Sequence, residues 1–138
     1  MDKLTESNLK ILNIKDTNDF KRLSKSKYKF FGKYLIILCQ PTDIKHNFNP
    51  LNGLNAKHYV RIGYTTSKKI SKLATRRNKI KRRLRQLCKI ISKNHYVTNF
   101  DYNIIAKSQI INTDFTDIKK DLEFCLKKLN LKINDQKN

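Results

Sequence analysis

Between Asp43 and Asp101 the chain carries no acidic residue, yet inside that stretch Ile80, Leu84, Leu87 and Ile91 recur at the i, i+4, i+7, i+11 spacing of a single helical stripe. This combination constrains the fold more than any other feature of the sequence. A helix turns by about 100° per residue, so Asn78, Lys81, Arg82, Arg85 and Lys89 project from the side opposite the stripe, while Arg77, Lys79 and Arg83 flank it. One face of the helix has to be buried in a core, and the other is a polycation that needs water or a polyanion. Thr75 is placed to cap the first turn, with the helix expected to begin at Arg76.

The same asymmetry holds for the whole chain, in which 31 Lys and Arg face 11 Asp and Glu for a formal net charge of +20. A general compositional drift would scatter this charge. Instead Arg61, Lys68, Lys69, Lys72, Arg76 and the basic helix are concentrated in the acid-free stretch, which points to nucleic acid as the partner. No apolar run reaches the roughly 18–20 residues of a membrane span, so no membrane partner is expected. The first residues lack the apolar stretch of an export signal, and the expected location is the cytoplasm.

The remaining candidates for chemistry are few. Cys39, Cys88 and Cys125 are odd in number and far apart, and read as small buried hydrophobes rather than a disulfide framework. His46, His58 and His95 have no carboxylate or cysteine at metal-ligand spacing. With no acidic pair in the basic region and no Gly-rich phosphate loop, the chain alone is not expected to cut RNA.

At 138 residues the chain fits one domain. The expected organisation is a flexible N-terminal segment over 1–12, an RNA-binding domain over 13–129 and a disordered tail over 130–138. A short helix is expected from Asp19, capped by Asn18, to about Ser26. The apolar run Tyr34 to Cys39, closed by Pro41, reads as a buried strand, and a long loop follows from Pro41 to Lys57. The strand from Tyr59 to Thr66 places Val60, Ile62 and Tyr64 on one face. Its other face holds Tyr59, Arg61, Gly63 and Thr65, a positive charge beside a bare patch that another chain can approach. Tyr102 to Ala106 reads as a further strand. Phe115, Ile118, Leu122, Cys125 and Leu129 form a second helical stripe, from Asp114 to about Leu129. The order helix, strand, strand, helix, strand, helix describes an α+β chain, a small two-layer α/β sandwich.

The spelling of the basic helix is more specific than its charge. Arg77-Asn78-Lys79-Ile80-Lys81-Arg82-Arg83-Leu84-Arg85 resembles the Arg-Asn-Arg-x-Lys-Arg-x-x-Arg signature of the bacterial ribonuclease P protein subunit, with Lys79 at the third arginine. Arg61-Ile62-Gly63 running on to Lys68-Lys69 is similar to the strand that precedes the helix in that family. Asp19-Phe20 is similar to the pair that opens its first helix, Asp101 to Ala106 to its last strand, and Asp114-Phe115 through Leu129 to its closing helix. The resemblance covers about residues 13 to 129.

The resemblance implies a mixed sheet with helices packed on it and a left-handed βαβ crossover around the basic helix. It implies a ribonuclease P subunit that binds ribonuclease P RNA and the 5′ leader of precursor tRNA, with Mg2+ and catalysis belonging to the RNA subunit. Arg61, Lys68, Lys69, Arg76, Arg77, Asn78, Lys79, Lys81, Arg82, Arg85 and Lys89 are then the expected RNA-binding residues, and Phe20, Tyr34 and Ile36 the leader-binding ones. On residue type alone, Phe20 and Tyr34 serve equally well as core aromatics or stacking surfaces. Ser24 stands where many relatives place a second aromatic, and the loop from Pro41 to Lys57 is longer than the usual connection. A ribosomal or other structural RNA-binding protein has the same charge and a similar fold, and is the competing reading.

Overall fold

The computed structural model describes residues 9–42 and 59–137. Among the described residues five strands form one mixed sheet: β1 (Lys10–Asn13), β2 (Tyr28–Phe31), β3 (Leu35–Pro41), β4 (Tyr59–Thr65) and β5 (Phe100–Ala106), in the order β1-β4-β5-β3-β2. β4 is parallel to β1 and β5, while β3 is antiparallel to β5 and β2. The α-helices of the described residues are α1 (Thr17–Ser24), α2 (Ala74–Ile90) and α3 (Phe115–Lys137). The parallel neighbours β4 and β5 are joined through α2, so the basic helix is the crossover of a βαβ unit.

Alternation along the strands sorts the residues onto two faces. Leu35, Ile37 and Cys39, Val60 and Ile62, and Tyr102 and Ile104 point to one side. There they meet Leu84, Leu87 and Cys88 of α2 and Ile118, Leu122, Leu126 and Leu129 of α3, all buried in one core. Arg61, Gly63, Asp101 and Asn103 lie on the other face, which carries α1.

Two strands go beyond the expected order. β1 and β2 are four residues each, too short for a period-2 pattern to stand out in the sequence. Residues 10–12, expected in a flexible segment, therefore pair in register with β4, Lys10 opposite Tyr59 and Ile11 opposite Val60. α1 begins two residues before the expected Asp19. Its cap is Asp16 rather than Asn18, and the Asp16 carboxylate accepts the Asn18 N–H at 2.9 Å.

The start of α2 also differs. Leu73 is the cap residue, and no side chain caps the helix. Thr75 lies inside the first turn, while the Arg77 guanidinium donates to the Ser71 and Lys72 carbonyls at 2.8 and 3.0 Å and ties the turn to the segment before it.

The expected disordered tail is corrected most clearly. α3 continues to Lys137 because Ile133 prolongs the Cys125–Leu129 stripe by one more turn and is fully buried, and Asn130 donates to the His95 carbonyl at 2.9 Å. The helix is also pinned near its other end. The Asp121 carboxylate accepts N–H bonds from Lys33, Tyr34 and Leu35 at 3.0, 2.8 and 3.2 Å. Gly32 belongs to the same contact, since a Cβ there would stand 2.4 Å from Cys125 Sγ. The loop beyond Thr42 lies outside the described residues, as do His46 and His58. Among the described residues no helix is long and apolar enough to cross a membrane.

Candidate nucleic-acid interface

The polycationic face of α2 follows its periodicity in part: Lys81 and Arg85, expected on the open face, are half-buried because they turn toward the neighbouring cleft. Leu84, Leu87 and Cys88 are buried, while Arg76, Asn78, Lys79, Arg82, Arg83 and Lys89 are exposed. Lys79, Arg82, Arg85 and Lys89 line a groove of about 500 Å³ along the helix. Lys68 and Lys69 are exposed in the turn between β4 and α2, where the Ile70 N–H closes on the Ser67 carbonyl at 3.0 Å. Arginine forks at the helix surface suit phosphate oxygens, which they can grip with two parallel N–H bonds. Arg77 is the exception. Its guanidinium is engaged with two backbone carbonyls, so it organises the approach to the helix.

Beside this face is a cleft of about 560 Å³ in which Phe20 of α1, Tyr64 and Thr66 at the end of β4, Asn103 of β5 and Lys81 and Arg85 of α2 come together. Phe20 is half-buried, and its ring rests on Gly63: a Cβ at that glycine would stand 2.5 Å from the ring. The bare patch on β4 is thus covered from within the chain. Arg85 packs its guanidinium over the Tyr64 ring at 5.3 Å.

Two polar atoms here are buried without a hydrogen bond among the described residues, Arg85 Nε and Thr66 Oγ1. The Tyr64 hydroxyl lies beside the Cys88 thiol, and burial pushes its pKa up, so it stays neutral. Unpaired buried donors are costly, and a polar ligand entering the cleft would relieve that cost. Thr65 and Asn103 are already joined, Oγ1 to Oδ1, at 2.9 Å.

A buried ion cluster fixes α1 over the sheet. Asp101 is fully buried on β5 and receives the guanidinium of Arg22, that of Arg61 at 3.4 Å and the Thr42 hydroxyl at 2.8 Å. Asp19 takes Arg61 at 2.6 Å and Arg22 at 3.5 Å, so two carboxylates face two guanidiniums. Burial raises the Asp101 carboxyl above its ordinary range, against the pull of Thr42, Arg61 and Arg22. Within the Asp19-Phe20 pair, the first residue holds the cluster and the second fills the cleft.

The cluster changes the expectation for Arg61. Only 7% of the residue is exposed and its charge is directed at Asp19 and Asp101, so it anchors α1 instead of presenting a charge to a second chain. The other strand candidates also separate. Ile36 lies on the α1 face of the sheet, opposite Ile105, which in turn pairs with Thr65; it is on β3, one strand beyond Asn103 of β5, and does not line the cleft. Tyr34 belongs to a different depression, beside Asp121 and Phe124 of α3. Ser24, in place of a second aromatic, bonds the Lys21 carbonyl at 2.6 Å and adds no stacking surface.

Tyr64, Thr66 and Asn103 were missed as cleft residues. Only Asn103 left a trace in the sequence, as an amide inside an otherwise apolar strand. The three cysteines are free and buried, and burial pushes each thiol up to about 12. They are packing residues with no thiolate at neutral pH.

With this geometry in view, residues 10–130 match the family model Ribonuclease P. Among curated proteins, the ribonuclease P protein component of Rickettsia bellii is 31% identical over 112 residues, which are 81% of this chain and 88% of the relative. That of Lactococcus lactis subsp. lactis is also 31% identical, over 86% of this chain and 87% of the relative. Among solved structures, the RNase P protein of Thermotoga maritima superposes with a TM-score of 0.65 at 24% identity, covering 84% of this chain and 96% of that one. The RNase P protein of Staphylococcus aureus gives 0.63 at 26% identity, covering 83% and 92%.

Proposed function

The chain belongs to the ribonuclease P protein family, and on that premise we propose that it acts as the protein subunit of a holoenzyme that removes the 5′ leader from precursor tRNA. The observation that carries this reading is the continuity of two unlike surfaces. Arg85 lines both the groove along the polycationic helix and the cleft in which Phe20 is held, and Lys81, one turn before it on α2, lines the cleft. A folded RNA needs cations at its phosphates, and a single strand needs a flat apolar ring as well.

In this proposal the exposed α2 side chains seat the ribonuclease P RNA, and Lys68 and Lys69, in the turn before α2, contact phosphates of the leader. The first unpaired leader nucleotides enter beside Phe20, where Arg85 and Thr66 offer hydrogen-bonding groups. Hydrolysis is assigned to the RNA subunit and its Mg2+ ions. The side chains at the interface are cationic and would repel a divalent metal rather than ligate it, which favours the RNA as the metal's host. The protein's part is to reduce repulsion between two polyanions and to hold the leader in register, in the cytoplasm where the chain is expected to work.

Reconstitution tests the reading. The chain is mixed with the matching ribonuclease P RNA and a precursor tRNA over a magnesium series. The chain alone should leave the precursor intact, and its addition should shift cleavage by the RNA to lower magnesium. Equal cleavage with and without the chain at every magnesium concentration would remove the proposal.

A further inference from the structure

The edge of the molecule where β2 meets α3 carries three aromatic rings in a row, each with a lysine over it. Phe30 and Phe124 meet edge to face at 5.7 Å, and Phe124 shares a surface depression of about 420 Å³ with Tyr34. Lys33 stands 5.3 Å from the Tyr34 ring, Lys128 5.4 Å from Phe124 and Lys132 5.6 Å from Phe30. Phe124 is 51% exposed, although its neighbours Leu122, Cys125 and Leu126 are fully buried. The core therefore does not account for an aromatic at this position.

We infer that this edge is a second track for single-stranded RNA, formed by Tyr34, Phe124 and Phe30 as stacking surfaces and by Lys33, Lys128 and Lys132 as phosphate contacts. The inference rests on the reading that the chain binds RNA. Rings flanked by ammonium groups match a strand that presents a base face and a phosphate at each step. In the depression Lys33 and Lys120 balance Asp117 and Asp121, the latter turned to three backbone N–H groups, so the net positive charge of the track comes from Lys128 and Lys132 beside the Phe124 and Phe30 rings. A second copy of this chain, itself at +20, or an apolar partner would have to bury Lys33, Lys128 and Lys132 away from water, Lys132 with only the Lys29 carbonyl it donates to at 3.0 Å, which is unfavourable. The track lies on the α3 side of the sheet, whereas Phe20 and α1 are on the other side, so a strand bound here is a different segment from one lodged in the Phe20 cleft.

The full chain is photocrosslinked to an oligouridine RNA bearing 4-thiouridine, and the crosslinked peptides are mapped. Crosslinks are expected both around Phe20 and α2 and at Tyr34 or Phe124. Phe124→Leu keeps an apolar side chain against Phe30 but removes the π face, and should lower the α3 crosslink by on the order of five- to a hundredfold while leaving those around Phe20 unchanged. Phe124→Ala should do the same, with a melting curve confirming that it folds. Crosslinks confined to the cleft and α2 overturn the second track and leave RNA binding intact. No crosslink anywhere defeats the RNA-binding reading itself. Self-association that Phe124→Leu abolishes, with unaltered crosslinks, makes the edge a protein interface and overturns the inference.

Discussion

A methyl group on residue 63 would stand 2.5 Å from the Phe20 ring, and a ring cannot yield that distance without leaving its seat. Gly63→Ala should therefore act on the leader like Phe20→Ala. Base stacking is worth roughly 1–3 kcal/mol, so in the holoenzyme either change should lower precursor tRNA affinity by up to about tenfold to a hundredfold. Mature tRNA, which lacks the leader, should bind almost as before; filter binding with both RNAs checks this. Loss of both affinities with a lower melting temperature would instead make Phe20 a packing residue. Asp101, on the same face of the sheet, holds α1 in that position through its ion pairs. Removing one member of a buried ion pair typically destabilises by about 3–5 kcal/mol, so Asp101→Ala should show a loss of that order in urea unfolding. Asp101→Asn retains an acceptor for the Thr42 hydroxyl and should lose less.

The helices divide stability and binding between their faces. Leu84 is fully buried against the sheet, so Leu84→Ala should cost roughly 2–5 kcal/mol while leaving the cationic groups in place. Arg82 is exposed, and Arg82→Ala should weaken RNA binding with an unchanged thermal melt. Arg85 is not an equivalent partner for it, because its guanidinium packs on Tyr64 and its substitution removes a packing contact along with a charge. Melts and binding assays on Leu84→Ala and Arg82→Ala give opposite patterns if the faces are as described, and identical patterns if they are not. α3 contributes differently: Ile133 and Asn130 extend its hold on the body of the protein past the last turn that apolar periodicity makes evident.

At the scale of the molecule, a net charge of +20 makes association with RNA strongly salt-dependent. Each contact to a single-strand phosphate adds about 0.7 to the logarithmic slope, so replacing exposed Lys68 and Lys69 together should flatten it by about 1.4 if both touch the leader. A slope unchanged in precursor tRNA titrations from low to moderate salt would place the leader elsewhere. The sequence by itself determined the two faces of α2, because helical periodicity is a local property of the chain. It also determined the central strands, whose apolar runs fit no other use, and the family, whose motif lies within that one helix. Only the tertiary structure decided the role of Arg61. In sequence it is a cation on an open strand face, and its burial depends on Asp19 from a helix and Asp101 from the neighbouring strand. The same holds for Tyr34, drawn away from Phe20 by the Asp121 anchor on α3, and for the last turns of α3. Each depends on contacts between residues distant in the chain, and only packing of the whole fold brings those residues together.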